Sequence, residues 1–140
     1  MILQFNYEEL IALKSGATGL LSESQPAGSA VLAPPEGRAR VEALVGRLDG
    51  DLSLESLEQV QEVQVAVESI VDWLRHEMES AILTTHAADE SAVVAYFEFA
   101  HAFTVSHRVT EMATEMAALI ELMTGEPPTT ESARQIHFPD

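Results

Sequence analysis

The sequence predicts an all-α protein: a long antiparallel helical hairpin packed with two shorter N-terminal helices, completing a helical bundle by dimerisation. Three observations carry that expectation. Apolar side chains recur at steps of three and four through two long stretches, Leu57–Ala81 and Ala102–Met123, which is the spacing of an amphipathic helix. Neither stretch contains Gly or Pro, and these breakers fall before and after the expected hairpin. The strand-like residues Ile2 to Phe5 have no evident partner strand elsewhere in the chain.

The first helix is expected over about residues 7–21. Asn6 is placed as its N-cap, Glu9 three residues later completes a capping box, and Phe5 and Leu10 form a hydrophobic staple. Leu10, Leu13, Ala17 and Leu20 follow at helical spacing. Gly16 and Gly19 each weaken this helix by about 1 kcal/mol relative to Ala. Their spacing either lets another helix approach closely or simply leaves the helix soft. Ser, Gly, Pro and Ala dominate from Ser22 to Pro34, predicting a mobile loop over 22–34. Pro35 then opens a second helix, about 35–48, with Glu36 near its positive end. Val41, Leu44, Val45 and Leu48 form its apolar face, and Asp49-Gly50 ends it with Gly50 in the left-handed conformation.

A third helix is expected over about 54–85, with Ser53 as N-cap and Leu52 and Leu57 as staple. Its stripe runs Leu57, Val60, Val63, Val67, Ile70, Leu74, Met78 and Ala81, opposite a wet side that includes Glu58, Glu62, Glu68, Asp72 and Arg75. Trp73 flanks the stripe, at an interface or at the core edge. The helix is rich in Val, so packing rather than propensity holds it. At 1.5 Å per residue it spans about 45 Å. The pattern weakens at Thr84, Thr85 and His86, and Asp89 is placed to cap a further helix, which sets a turn at 86–88. No Gly or Pro forces that break, so one continuous helix is the alternative. The fourth helix, about 90–123, carries the stripe Ala102, Val105, Val109, Met112, Met116, Leu119 and Met123. Tyr96, Phe99 and Phe103 widen the apolar face at its start, while Thr104, His107, Arg108, Glu111, Glu115 and Glu121 form the wet side. Gly125 and Pro127-Pro128 stop it, and Thr129 or Thr130 caps a short turn over 130–135. The whole reads as a single helical domain over 1–140. The two N-terminal helices are short against the long arms, so a homodimer is expected to complete the bundle.

Charge and composition narrow the function. The 140 residues are 46% apolar and 21% charged, a globular composition. No apolar run reaches the roughly 20 residues that span a bilayer, and the first ten residues have neither a basic n-region nor a small-residue cleavage site. There are no cysteines. That removes disulfides, thiolate metal sites and cysteine nucleophiles, and it fits a cytoplasmic location. The net charge is −16, from 23 acidic and 7 basic side chains. Such a surface repels nucleic acid and anionic membranes, and it suits solubility, cation binding or a protein partner with a basic surface. P-loop, GxGxxG, HExxH, GxSxG and EF-hand patterns are all absent. The i, i+4 ladders Glu68-Asp72-His76 and His107-Glu111-Glu115 read as solvated faces, and the Met112, Met116 and Met123 series as bundle core.

Two carboxylates interrupt the long stripes, Glu77 on the third helix and Glu98 on the fourth. With the turn centred near 87–88, they lie at the same depth along the hairpin. His101 follows Glu98 by three residues, so both project from one side of the helix. Carboxylates within an apolar stripe must be paired, protonated or cation-bound. Glu77, Glu98 and His101 are therefore candidate metal ligands, beside the plainer reading of stripe-edge glutamates and a satisfied histidine.

Glu77 together with the E-x-x-H of Glu98 and His101 resembles one half of a ferritin-like, carboxylate-bridged di-iron site, and is similar to encapsulated-ferritin-type proteins, in which a helical hairpin dimerises to complete the centre. The resemblance covers only the hairpin. It implies iron or manganese, carboxylate ligation by Glu77 and Glu98, nitrogen ligation by His101, and ferrous-ion oxidation. Three functional readings stand at this point: a non-catalytic, acidic, self-associating scaffold, adaptor or binding module; a di-metal oxidase with its site at a dimer interface; and an acidic inhibitor that docks on a basic partner.

Overall fold

The computed structural model describes residues 1–22, 35–84 and 90–139. The expected mobile loop and the expected turn at 86–88 therefore fall on residues outside this set, apart from Ser22. Among the described residues the chain is all-α in character, with five helices and one minimal sheet in the order β1 (Ile2–Leu3), α1 (Tyr7–Ser22), α2 (Pro35–Val45), β2 (Leu52–Ser53), α3 (Leu57–Thr84), α4 (Glu90–Thr124) and α5 (Thr130–Gln135). No helix among the described residues is long and apolar enough to cross a membrane.

α1 starts where the local chemistry puts it. The Glu9 backbone N–H donates to Asn6 Oδ1 at 2.8 Å, and the Asn6 N–H donates to Glu9 Oε1 at 2.9 Å, a reciprocal capping box. α5 uses the same device, with Thr129 and Ser132 satisfying each other's backbone N–H groups. α4 ends at Gly125, whose φ of 79° lies in the left-handed region that Gly enters without a Cβ penalty.

Four expectations are corrected. Ile2–Leu3 does find a partner: it pairs antiparallel with Leu52–Ser53, in the register Ile2 to Ser53 and Leu3 to Leu52. Two residues per strand carry too little pattern to be visible in the sequence. Ser53, occupied in that strand, is not the cap of α3. Ser56 takes the role, its hydroxyl accepting from the Gln59 N–H at 3.3 Å, and α3 begins at Leu57. α2 ends at Val45 rather than near 48, because the N–H groups of Arg47 and Leu48 turn back to the carbonyls three residues earlier. Leu48 stays buried all the same. Gly50 does not adopt a positive φ; among the described glycines only Gly125 does.

α3 packs most extensively against α4, and α1 lies against both. The approach of α1 to α3 explains its glycines. A Cβ on Gly16 would sit 2.7 Å from Ile70 Cγ2, and one on Gly19 would sit 2.8 Å from Trp73 Nε1. The pair is thus a close-contact surface, and Trp73 belongs to the core at 7% exposure. α2 covers α3 and α1, and α5 closes the far end against α3 and α4, where Arg134 Nε donates to Glu58 Oε2 at 2.9 Å. The core these elements share is fully sealed at Leu13, Leu20, Val60, Val67, Ile70 and Val105. Burying side chains of this size contributes about 1.5–3 kcal/mol each, which is what holds a Val-rich helix together.

Candidate functional site

Glu77 and Glu98 line one cleft of about 650 Å³ between α1, α3 and α4, together with Ser15, Trp73, Glu90 and Val94. The level match inferred from their positions in the two long helices thus brings both to one place. Their environments differ. Glu77 is exposed and Glu98 half-buried, and the Ser15 hydroxyl, donated from α1, lies 3.3 Å and 3.2 Å from the two Glu98 carboxylate oxygens. A hydroxyl donor and open water solvate a carboxylate without a cation.

His101 does not join them in lining that cleft. It is half-buried and lies close enough to Glu9 to lower that carboxyl's pKa. Among the described residues, no group of three or more His, Asp and Glu side chains is placed to hold a metal ion. The described donors of one chain therefore do not by themselves assemble a di-iron or di-manganese set, and Glu98 accepts from Ser15.

The buried ionic chemistry lies further along α4, where the sequence had placed Arg108 on the wet side. Arg108 reaches across to α1, donating from Nη1 to Glu9 Oε2 at 2.6 Å and from Nη2 to Glu9 Oε1 at 2.8 Å and to the Gln4 carbonyl at 2.6 Å. The Glu9 side chain is only 4% exposed and that of Arg108 35%. The forked guanidinium matches a carboxylate with two parallel bonds. Arg108 holds the Glu9 carboxyl below its usual range against the opposing effect of burial, with further help from the Asn6 N–H and from His101. Glu9 thus has two roles, capping α1 and locking α1 onto α4. In the sequence Arg108 sits directly beside the stripe residue Val109, which gives no sign of its partner on α1. Arg108 also lines a second cleft of about 700 Å³ beside Phe5, Asp51 and Glu111. Its guanidinium is already engaged with Glu9 and the Gln4 carbonyl, so it offers that cleft no unpaired cation.

The third feature is a surface. Val93, Tyr96, Phe97 and Phe103 on α4 are 43%, 54%, 55% and 50% exposed. Tyr96 and Phe103 were expected to widen the core face, and that expectation is corrected. At 100° per residue, positions 93, 96, 97, 100, 103, 104 and 107 fill an arc of about 120° centred opposite the buried Ala102, Val105 and Val109. Only Phe99, half-buried, packs toward the core, with Arg75 over its ring at 5.4 Å. Tyr96 and Phe97 meet edge to face with centroids 5.9 Å apart, and Phe99 and Phe103 lie 5.8 Å apart. The end of the expected core stripe shifts too: Met123 is 65% exposed, and Ile120 is the buried residue there. Compared with known proteins, the chain matches no family model, no curated protein and no solved structure.

Proposed function

We propose that this chain is a non-catalytic, acidic, all-helical scaffold or adaptor that works in the cytoplasm and self-associates through the hairpin formed by α3 and α4. One observation carries the reading: the outer face of α4 is apolar and aromatic, and nothing among the described residues covers it. Over residues 92–109 α4 carries apolar side chains on two opposite sides, and each apolar side is buried only by a partner. α1 and α3 occupy the inner side. Exposed apolar patches of this kind mark interaction sites on soluble proteins, and aromatic enrichment with charge depletion is the composition of an interface core. The test is light scattering across a concentration series. A mass that rises toward twice the 15.2 kDa of the chain supports self-association, and a constant monomer mass refutes it. If the monomer instead retains a basic protein and releases it in moderate salt, the reading as an acidic inhibitor that docks on a basic partner is favoured.

A second reading, a metal-binding oxidase, is favoured by the shared cleft of Glu77 and Glu98. It requires a second chain to bring further ligands to that cleft. Metal analysis after adding iron or manganese decides it. Stoichiometric metal that is lost in Glu98→Ala and His101→Ala supports it, and no bound metal ends it.

A further inference from the structure

We infer that two copies of this chain pair through α4 as an isologous, antiparallel helix pair with the two-fold axis at Ala100, an arrangement that rests on the self-associating reading above. The exposed stripe is symmetric in sequence about that residue. Val93 and His107 lie seven positions either side of it, Tyr96 and Thr104 four, and Phe97 and Phe103 three. In an antiparallel two-fold pair, the residue a given number of places before the centre meets the residue the same number of places after it. Each of these pairs then becomes a contact between copies: Phe97 on Phe103 of the partner subunit, Tyr96 beside Thr104 of the partner subunit, and Val93 against His107 of the partner subunit. The offsets of three, four and seven are those of a heptad seam. Ala100, the smallest side chain of the stripe, stands where the helices come nearest. It permits an interaxial distance at the short end of the usual range of about 8–10 Å.

Charge favours a second copy over a different partner. The chain carries −16 overall, yet from Ser91 to Thr110 it has one carboxylate, Glu98, and one guanidinium, Arg108. Both are engaged with α1, through Ser15 and Glu9. The outer stripe itself holds no Asp, Glu, Lys or Arg. A basic partner gains nothing at an uncharged patch, whereas two acidic copies meet there without repulsion at the centre. The area fits as well. At about 200 Å² per aromatic side chain, the half-exposed Tyr96, Phe97 and Phe103 present about 300 Å², and the remaining stripe residues raise the total to about 500–600 Å². Two copies bury about twice that, at the lower bound for a specific interface. The dimer is therefore expected to be weak, dissociating in the micromolar range. Glu90 and Glu111 bracket the stripe, and at each end Glu90 of one copy approaches Glu111 of the partner subunit, so added salt strengthens this dimer.

The absence of cysteine makes the geometry directly testable. Single-cysteine variants are oxidised at concentrations where light scattering shows dimer. Ala100→Cys is expected to link to itself, and Val93→Cys and His107→Cys to link only when mixed with each other. Tyr96→Cys mixed with Thr104→Cys is a second such pair, should one of the first variants lose its helical circular dichroism. If Val93→Cys and His107→Cys each link to themselves and not to one another, the antiparallel pairing is overturned while self-association stands. Monomer at every concentration and salt overturns both.

Discussion

On the inner face of α4, Ala102, Val105 and Val109 have no exposure at all, while half a turn away Val93, Tyr96, Phe97 and Phe103 keep between 43% and 55% of theirs. The residue types are equally apolar. The neighbours differ: α3 and α1 lie against the inner face, and no described residue seals the outer one. Apolar character alone therefore does not say what a face is for. The inner face stabilises the fold, and the outer face is the surface left for the proposed assembly. Substitutions on the two faces should separate these properties cleanly.

The largest effect belongs to the inner face. Val105→Asp places a carboxylate at a position of 0% exposure with no cation provided for it. An unpaired buried charge is among the few single changes that exceed about 4 kcal/mol. Urea denaturation followed by circular dichroism is expected to show an unfolded or non-cooperative protein. A cooperative transition near that of the wild type would mean that the inner face is not a sealed core.

Next in size is the junction between the inner face of α4 and α1. Glu9→Ala removes the bidentate partner of Arg108 and one half of the α1 capping box. Breaking a buried pair costs about 3–5 kcal/mol. Arg108 is about one-third exposed, so water recovers part of this, and about 2–3 kcal/mol is expected. The pH dependence has a definite sign. The Glu9 carboxyl is lowered from 4.5 in the folded state, so the ionised form is the one the fold favours. Its contribution is fully present above about pH 4.5 and is lost as pH falls through the lower folded value. The stability difference between the wild type and Glu9→Gln should therefore be constant near neutrality and narrow below pH 4.5. A gap that widens on acidification would show that the pair does not favour the carboxylate.

These two sites also show what was legible in the sequence. The caps and stripes were readable because they are local: Asn6 with Glu9, Thr129 and Gly125 act within four residues of themselves. The nearness of Glu77 and Glu98 follows from helical period and a turn near 87–88, which lies outside the described residues; that both line one cleft is visible only in the structure. The Arg108–Glu9 pair was not legible, because its partners are 99 residues apart and depend on how α1 crosses α4. The β1–β2 pairing was hidden for the same reason, being two residues long and joining Ile2 to the distant Ser53. Gly16 and Gly19 left two readings open, and only the position of Ile70 and Trp73 decides between them. The aromatic run of α4 was visible in composition and misplaced in angle. Composition alone suggests that Tyr96 and Phe103 widen the core face, whereas the helical period sets them nearly opposite it.

The smallest expected effect on folding is the most informative about function. Phe97→Glu changes a side chain that is 55% exposed on the outer face. It exchanges a weaker helix former for a better one. Measured at dilution, where association adds nothing by mass action, the unfolding free energy should stay within about 0.5 kcal/mol of the wild type. At higher concentration the same change sets two carboxylates near the centre of the proposed pair, one from each copy. Each would be desolvated against a phenyl ring. The dimer is expected to weaken by at least about 100-fold, leaving a monomer in light scattering. The contrast with Val105→Asp is then complete: one introduced carboxylate on the same helix removes the fold, the other removes only the assembly. If Phe97→Glu instead destabilises the dilute monomer by more than about 2 kcal/mol, the outer face is sealed by the chain itself and is not a surface for a second copy.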